Sequence, residues 1–198
     1  MTDQPPNPLT LEKLIVLSGP SGVGKGTLCQ ALLASQTNIE LCISATTRDM
    51  RPGEVDGVYY HFLSPEAFQE KIDADGFLEW AEFAGARYGT LRSEIARVMQ
   101  HQKLAMVEID VQGAKQIRDN CPGALLIFIR PPSQDELRRR LMHRGVNTEA
   151  DIQRRINIAE RELVEAASFD VIIENDDLQK AAEAIQIAIQ NYMLASQP

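Results

Sequence analysis

Residues 19–27 read GPSGVGKGT and come directly after the apolar run KLIVLS. The glycines and the lysine have the spacing of a phosphate-binding loop, whose backbone N–H groups turn toward phosphate oxygens while the lysine adds a full charge. A preceding strand and a following helix are the context that this motif requires, because the helix N-terminus contributes its positive end. The stretch therefore predicts a nucleotide-binding α/β protein.

One position departs from the usual form of this loop. Most such loops place a Ser or Thr straight after the lysine, where its hydroxyl reaches the metal of the nucleotide. Here Gly26 follows Lys25, and the hydroxyl comes one residue later at Thr27. A loop ending in GKGT is similar to that of nucleoside monophosphate kinases. We interpret the loop as intact, with Thr27 either capping the helix or reaching the phosphates.

The rest of the chain alternates apolar runs with helical patterns. The runs are mostly continuous rather than alternating, which is typical of strands buried on both faces of a parallel sheet. They lie near 13–19, 39–44, 103–110, 124–129 and 169–175. Helical patterns lie near 27–35, 112–120, 133–143, 148–168 and 177–194. The order predicts a P-loop α/β core, a five-stranded parallel sheet with helices on both faces.

Two segments interrupt this alternation. Residues 45–90 carry aromatics, glycines and strand-like pieces around a helix near 65–74, which predicts a small β-rich insertion. Residues 130–161 hold eight of the fourteen arginines and none of the lysines. Both segments follow the carboxyl end of a predicted strand, the side on which open α/β sheets bind ligands.

Composition excludes several classes of protein. The chain has 198 residues and a formal net charge of -8, which argues against general nucleic-acid or anionic-membrane binding. No apolar run approaches the roughly 18 to 20 residues of a membrane span. Cys29, Cys42 and Cys121 are widely spaced, so we expect free thiols in a reducing compartment. Residues 1–12 are expected to be a loose tail without a signal segment.

Carboxylates follow the third predicted strand, in VEIDVQG. Glu108 and Asp110 are two residues apart, so we expect them to share one face of that strand. A carboxylate at this place can hold metal-bound water near the phosphate loop.

The β-rich insertion opens with candidate phosphate ligands. Arg48 and Arg51 precede a Pro-Gly turn, and two guanidinium groups on one turn can bind a phosphate in bidentate fashion. Tyr59 or Tyr60, together with Tyr88, would add hydroxyl donors.

These motifs together resemble the guanylate kinase family along residues 13–194. Beside the loop, the matching stretches are TTRDMRPGEVDGVYYHF, FLEWAEFAGARYGT, EIDVQG, PPSQDELRRRLMHRG, RRINIAERE and ENDD. The resemblance implies a core of residues 13–43, 91–130 and 162–198, a GMP-binding subdomain of residues 44–90, and a helical lid of residues 131–161. It also implies transfer of the γ-phosphoryl group of ATP to GMP, and to dGMP, with Mg²⁺, for guanine nucleotide recycling and GTP supply.

The resemblance assigns roles to individual residues. ATP would be bound by Gly19, Pro20, Ser21, Gly22, Val23, Gly24, Lys25, Gly26, Thr27 and Asn175. GMP would be bound by Ser44, Arg48, Arg51, Tyr60, Glu79, Tyr88, Thr90 and Asp110. Catalysis would depend on Lys25, Arg48, Arg140, Arg144 and Arg155. Thr27 and Glu108 would hold the metal ion, both through water.

The chemistry of guanine supports the role of Glu79. Guanine presents two adjacent donors, N1–H and the 2-amino group, and one carboxylate can accept both. Adenine offers an acceptor at N1, so a buried carboxylate would lose its partners. A site of this kind can reject such analogues by about 10⁴-fold or more. Phe77 and Trp80 flank Glu79 in sequence and are expected to shield it.

Two alternatives stay open. The loop alone would also suit a kinase for AMP or UMP, although Glu79, Ser44 and Thr90 argue against it. A guanylate-kinase-like module that binds partner proteins is the other alternative, although the loop residues are present. We expect ATP and GMP as partners, without nucleic acid, membrane or an obligatory protein partner, in the cytoplasm.

Overall fold

A parallel sheet forms the centre of the molecule. The computed structural model describes residues 14–83, 85–142 and 149–195. Its five strands are Leu14–Ser18 (β1), Ile39–Leu41 (β2), Leu104–Glu108 (β7), Leu125–Arg130 (β8) and Val171–Glu174 (β9). They are parallel and lie in the order β2-β7-β1-β8-β9, so the predicted sheet is confirmed. The tail predicted for residues 1–12 lies outside the described residues.

Helices cover both faces of this sheet. Alternate residues of β1 point to opposite faces: Ile15 and Leu17 join one apolar cluster, whereas Leu14 and Val16 join the other. Helices α1 (Lys25–Ser35) and α7 (Leu178–Ala195) complete the first cluster. Helices α3 (Arg92–Gln100) and α4 (Val111–Asn120) complete the second. This arrangement confirms the predicted α/β architecture.

Two details of the core differ from the sequence prediction. Helix α3 was not predicted, because its apolar face is narrow and centres on Ile95 and Val98. Strand β7 ends at Glu108, so Glu108 and Asp110 do not share a strand face as predicted. Asp110 instead caps α4: its Oδ1 accepts the backbone N–H of Gly113 at 2.8 Å. The capping bond ends the strand two residues earlier than the apolar pattern suggests.

A second sheet makes up the predicted β-rich insertion. Its strands are β3 (Ala45–Thr46), β4 (His61–Phe62), β5 (Phe77–Phe83) and β6 (Ala86–Leu91), in the order β4-β3-β6-β5. Helix α2 (Pro65–Asp73) packs Phe68 against Phe77 with ring centroids 4.3 Å apart. The strand-like VYYHFL run contributes only two strand residues, and β6 was not predicted.

The arginine-rich segment forms two helices with their own small core. Helices α5 (Gln134–Met142) and α6 (Glu149–Val164) bury Leu137, Leu141, Ile152, Ile156 and Ala159 between them. A short 3₁₀ helix (Glu165–Ser168) leads to β9. Among the helices that the structure describes, none is long and apolar enough to cross a membrane.

Candidate active site

The phosphate loop joins β1 to α1, and two of its positions require glycine. Gly19 has φ +138°, and a Cβ there would lie 2.2 Å from the carbonyl oxygen of Ile129. Gly24 has φ +96° and forms the N-cap of α1. Because Gly24 occupies the cap position, the alternative that Thr27 caps this helix is wrong. Thr27 lies exposed in the first turn of α1, beside the loop.

Lys25 folds back into the loop. Its Nζ donates to the carbonyl oxygens of Gly19 at 2.6 Å and Pro20 at 3.2 Å. Burial lowers the pKa of this ammonium group, whereas the nearby carboxylates of Glu108, Glu162 and Asp110 act to raise it. A cation thus stands in the mouth of the loop, held mainly by neutral carbonyl groups.

Gly26 faces the carboxylate of Glu108, the last residue of β7. A Cβ at this position would lie 3.5 Å from Oε2 of Glu108. The hydroxyl that most phosphate loops carry here would therefore stand against Glu108. The departure at residue 26 coincides with a carboxylate that comes from the neighbouring strand.

Two residues with predicted roles on the ATP side, Arg140 and Asn175, bind the phosphate loop. The Nη1 of Arg140 donates to the Val23 carbonyl at 3.1 Å, and its Nη2 donates to the Asn175 carbonyl at 2.8 Å. The buried amide of Asn175 also donates to Val23, at 2.7 Å. Glu136 accepts from Nε of Arg140 at 2.7 Å and so orients the guanidinium group. Arg140 and Asn175 therefore connect α5 and β9 to the loop.

Three further arginines of the arginine-rich segment differ in their surroundings: Arg155 contacts the phosphate loop, whereas Arg138 and Arg139 pair with carboxylates. Arg155 of α6 donates to the Ser21 hydroxyl at 2.6 Å. Arg139 pairs with Glu136 at 2.7 Å, and Arg138 pairs with Glu149. The predicted catalytic residue Arg144 lies outside the described residues.

Glu79 is a buried carboxylate on the β-rich unit. It is 5% exposed, and the Thr90 hydroxyl donates to its Oε1 at 2.7 Å across the β5–β6 pair. Burial raises the pKa of Glu79 to about 7, the charge of Asp110 adds to this, and the Thr90 hydroxyl opposes it. The other oxygen, Oε2, faces Gly113, where a Cβ would approach to 2.5 Å. Helix α4 thus shields the carboxylate at a position that has no side chain.

Two of the three arginines of the insertion, Arg48 and Arg51, lie beside a carboxylate. Arg48 makes a two-pronged bond to Glu54, with distances of 2.8 and 3.0 Å. Glu54 also accepts the backbone N–H of Arg51 at 2.7 Å, while the Arg51 side chain is exposed. The Arg48 guanidinium lies 5.4 Å from the Tyr60 ring centre, and Tyr60 meets Tyr88 edge to face at 6.0 Å. Hydrogen bonding to Arg48 lowers the pKa of Glu54.

One cavity of about 640 Å³ connects these groups. The loop contributes Gly19, Ser21 and Lys25 to its wall, and α6 contributes Arg155. Further wall residues are Ser44, Tyr60, Glu79, Tyr88, Glu108 and Asp110. The predicted residues Thr27, Arg48, Arg51, Thr90, Arg140 and Asn175 do not line this cavity. The cavity wall therefore includes both the cation of the phosphate loop and the buried carboxylate of Glu79.

Sequence reasoning missed two residues of this site. Glu162 lines the cavity from α6, and its Oε2 is buried without a hydrogen-bond partner among the described residues. Burial raises the pKa of Glu162 to about 6. Arg155, Ile158 and Glu162 have helical spacing, which could have placed Glu162 on the face of Arg155. Gly113, in a helical run, was the signal for a close approach.

Comparisons with known proteins agree with this arrangement. A family model described as Guanylate kinase matches residues 11–192. The guanylate kinase of Thermosynechococcus vestitus is 48% identical over 189 residues, covering 96% of this chain and 97% of its own. That of Nostoc sp. is 49% identical over 183 residues, covering 92% of each chain.

A solved structure extends this agreement to the fold. The crystal structure of guanylate kinase from Anaplasma phagocytophilum matches with a TM-score of 0.71 at 30% identity, over 90% of this chain and 84% of that one. With the sequence match spanning both sheets and the phosphate loop, the chain belongs to the guanylate kinase family.

Proposed function

We propose that this protein transfers the γ-phosphoryl group of ATP to GMP and releases ADP and GDP. The observation that carries the proposal is the single cavity that joins Lys25 of the phosphate loop to the buried Glu79–Thr90 pair. Phosphoryl transfer needs two anions held in line, neutralised charge and little water. A cavity shared by a phosphate loop and a base-reading carboxylate meets these needs. The reaction would serve guanine nucleotide recycling, and dGMP would serve as a second acceptor.

Glu79 would select the base. Its ionised carboxylate would accept the N1–H and 2-amino groups of guanine, with Thr90 holding the carboxylate in place. Ser44 and Asp110 lie on the same cavity wall and would contact the edges of the base. Residues 44–90 would thus act as the GMP-binding subdomain. In AMP, N1 of adenine is an acceptor, so the buried carboxylate of Glu79 would face an acceptor instead of two donors. This disfavours AMP as a substrate.

The acceptor phosphate would lie near the two tyrosines. Tyr60 and Tyr88 line the cavity and would donate their hydroxyls to it. Arg48 and Arg51 would supply charge, and for Arg48 this requires the phosphate to replace Glu54 as its partner. Exchange of one anion for another keeps the guanidinium paired throughout.

ATP would lie on the phosphate loop. Backbone N–H groups of the loop other than Pro20 would bind its phosphates, and Lys25 would exchange the carbonyls of Gly19 and Pro20 for phosphate oxygens. Arg155 reaches the loop at Ser21, and Arg140 braces it at Val23. We propose residues 131–161 as the lid, with Arg144 as its third arginine and Asn175 near the adenine.

The residues also fit a magnesium ion held through water. Glu108 lines the cavity between the loop and Asp110, and its oxygen is the hard ligand that Mg²⁺ prefers. Thr27 lies beside the loop and would act through water as well. When bound with ATP, such an ion neutralises charge on the β- and γ-phosphates. Glu108 would orient its water shell toward the loop.

The composition and thiols suggest the setting of the reaction. The net charge of -8 disfavours nucleic acid and anionic membranes, and the reaction itself requires no protein partner. Cys29, Cys42 and Cys121 are buried free thiols, which suits the cytoplasm.

A coupled assay of ADP release tests the proposal. GMP, AMP, UMP and CMP are offered in turn with ATP and Mg²⁺, to the wild-type protein and to Glu79→Gln. We expect turnover with GMP, and a loss of at least about 10²-fold in kcat/KM in the variant. Turnover with AMP or UMP instead would move the protein to another acceptor. Nucleotide binding without turnover on any acceptor would favour a protein-binding module.

A further inference from the structure

A buried carboxylate outside the cavity joins the β-rich unit to the core. Glu94 lies in the first turn of α3, and its side chain is 8% exposed. The backbone N–H of Ile43 donates to its Oε2 at 3.1 Å. Arg97 donates to both carboxylate oxygens, at 3.1 and 3.0 Å. His61 places its Nε2 3.2 Å from Oε1, an ion-pair distance without full hydrogen-bond alignment.

These partners lie where the chain crosses between the two sheets. The chain leaves the core after Cys42, whose N–H donates to Met106 of β7, and it enters β3 at Ala45. It returns through Leu91, three residues before Glu94. Glu94 therefore binds Ile43, which lies in the first connection between the two sheets. Glu94 itself lies just after Leu91, where the chain returns to the core. The contact with His61 adds a third attachment, to β4 inside the unit.

Each attachment is next to a residue of the cavity wall. Ile43 precedes Ser44, and His61 follows Tyr60; both Ser44 and Tyr60 line the cavity. The two segments are also bonded to each other, because the His61 N–H donates to the Ser44 carbonyl at 2.9 Å. A shift of the Glu94 carboxylate would move both wall residues relative to the phosphate loop. Misplacement by about 1 Å can reduce a rate by roughly 10²-fold.

We propose that Glu94 is a positioning residue for the acceptor site: its carboxylate holds the segments that carry Ser44 and Tyr60 in register with the core. Glu94 does not touch the cavity and acts through Ile43 and His61. Its role is confined to the acceptor half, because the described phosphate-loop residues bond to α5, α6 and β9 rather than to α3. The inference rests on the proposed function, since that names GMP as the acceptor.

Calorimetric titration with GMP, and separately with ATP, tests this role in Glu94→Gln. The amide retains the shape of the side chain but has no charge and only one acceptor oxygen. It therefore cannot accept from Ile43 and from both donor atoms of Arg97 as the carboxylate does. We expect the Kd for GMP to rise about five- to tenfold, in line with the loss of a charge-assisted hydrogen bond. The Kd for ATP is expected to stay within about twofold, since the loop has other supports.

Glu40→Gln is the matched control. Glu40 bonds Nη1 of Arg97 at 2.5 Å and pairs with His101 at 3.2 Å and Lys103 at 3.1 Å, but among the described residues it forms no hydrogen bond or ion pair with Ile43 or His61. We expect this variant to bind GMP as the wild-type protein does, even if its melting temperature falls. Equal losses of GMP affinity in both variants would overturn the positioning role and leave a general effect of the charge network.

A second substitution keeps the test valid if Glu94→Gln folds poorly. His61→Ala removes the β4 attachment from a side chain that is 29% exposed. It should also raise the Kd for GMP. The double variant, with Glu94→Gln and His61→Ala, should bind GMP no more weakly than the single variant that binds it more weakly. Independent, multiplying effects, or equal losses for GMP and ATP, would overturn the proposal. Wild-type protein that fails to bind GMP would instead refute the proposed function.

Discussion

The two halves of the cavity hold their cations in different ways. On the donor side, Lys25 donates to two carbonyls and Arg140 binds the carbonyls of Val23 and Asn175 as well as Glu136. On the acceptor side, Arg48 is paired with the carboxylate of Glu54. A phosphate that reaches the loop displaces neutral groups from Lys25, whereas a phosphate that reaches Arg48 must displace an anion. Lys25 of the proposed donor site would therefore exchange neutral partners for a phosphate, whereas Arg48 of the proposed acceptor site would first have to give up an anionic partner.

Lys25→Met is expected to have the largest effect, and it tests the donor half of the site. The substitution keeps the length of the side chain and removes the only charge at the mouth of the loop that comes from the loop itself. We expect kcat to fall by about 10²- to 10³-fold or more, as for loss of a preorganised charge partner in the transition state. Steady-state kinetics with GMP and ATP measures this.

The same variant checks that the halves are separate. Its Kd for GMP, taken without ATP, is expected to stay within about twofold, because Glu79 and the tyrosines are unchanged. Retention of most of kcat would contradict the donor role of Lys25.

The pH dependence of guanosine binding tests the acceptor half. Glu79 must be ionised to accept two donors, and its pKa is raised to about 7. Guanosine affinity should therefore be constant above this pKa and fall by about tenfold per pH unit below it. Guanosine is used because it has no phosphate that titrates in this range.

Glu79→Gln is the control for this titration. Its amide does not ionise, so its weaker binding should be flat from about pH 5 to 8. A wild-type profile that is flat down to pH 5 would show that the burial of Glu79 does not govern guanine binding.

Gly113→Ala sharpens the account of how Glu79 is shielded. The added Cβ would lie 2.5 Å from Oε2 of Glu79, whose other oxygen is bonded to Thr90. We expect kcat/KM for GMP to fall about tenfold while the KM for ATP is unchanged. Gly113 lies in the first turn of α4, so the melting temperature of the variant is measured as well, to separate a local displacement of Glu79 from a loss of global stability. An unchanged kcat/KM would mean that the carboxylate moves freely in the cavity.

Glu54→Gln has the smallest expected effect, and it tests whether Glu54 competes with the acceptor phosphate for Arg48. Without the carboxylate, Arg48 is free to meet the acceptor phosphate, so the KM for GMP should fall by about two- to fivefold. The affinity for guanosine, which has no phosphate, should not change. A higher KM for GMP would show that Glu54 serves mainly to order the turn at Arg51, whose N–H it accepts.

Sequence patterns predicted the central sheet and most helices because buried parallel strands and amphipathic helices leave strong periodicities. They did not reveal α3, in which Ile95 and Val98 are the only buried apolar residues. They misplaced Asp110 because a capping bond, rather than hydrophobicity, ends β7. Short-range patterns carry little information on such polar contacts.

The candidate site was predictable to the extent that its motifs are local. The loop, Glu79 and Thr90 were identified; the structure brings the loop and Glu79 to one cavity and bonds Thr90 to Glu79. Glu162 and Gly113 were missed because their positions depend on how α6 and α4 pack against other elements. The partner of Arg48 was also unforeseen, although Glu54 lies only six residues away. Tertiary packing decides these contacts.

The most direct test of the central claim compares GMP with IMP as acceptors for the wild-type protein and Glu79→Gln. IMP lacks only the 2-amino group, so it removes one of the two donors that Glu79 is proposed to accept. We predict that kcat/KM for the wild-type protein favours GMP by at least about 10²-fold, and that the preference nearly disappears in the variant. An equal preference in both proteins would contradict Glu79 as the residue that reads guanine.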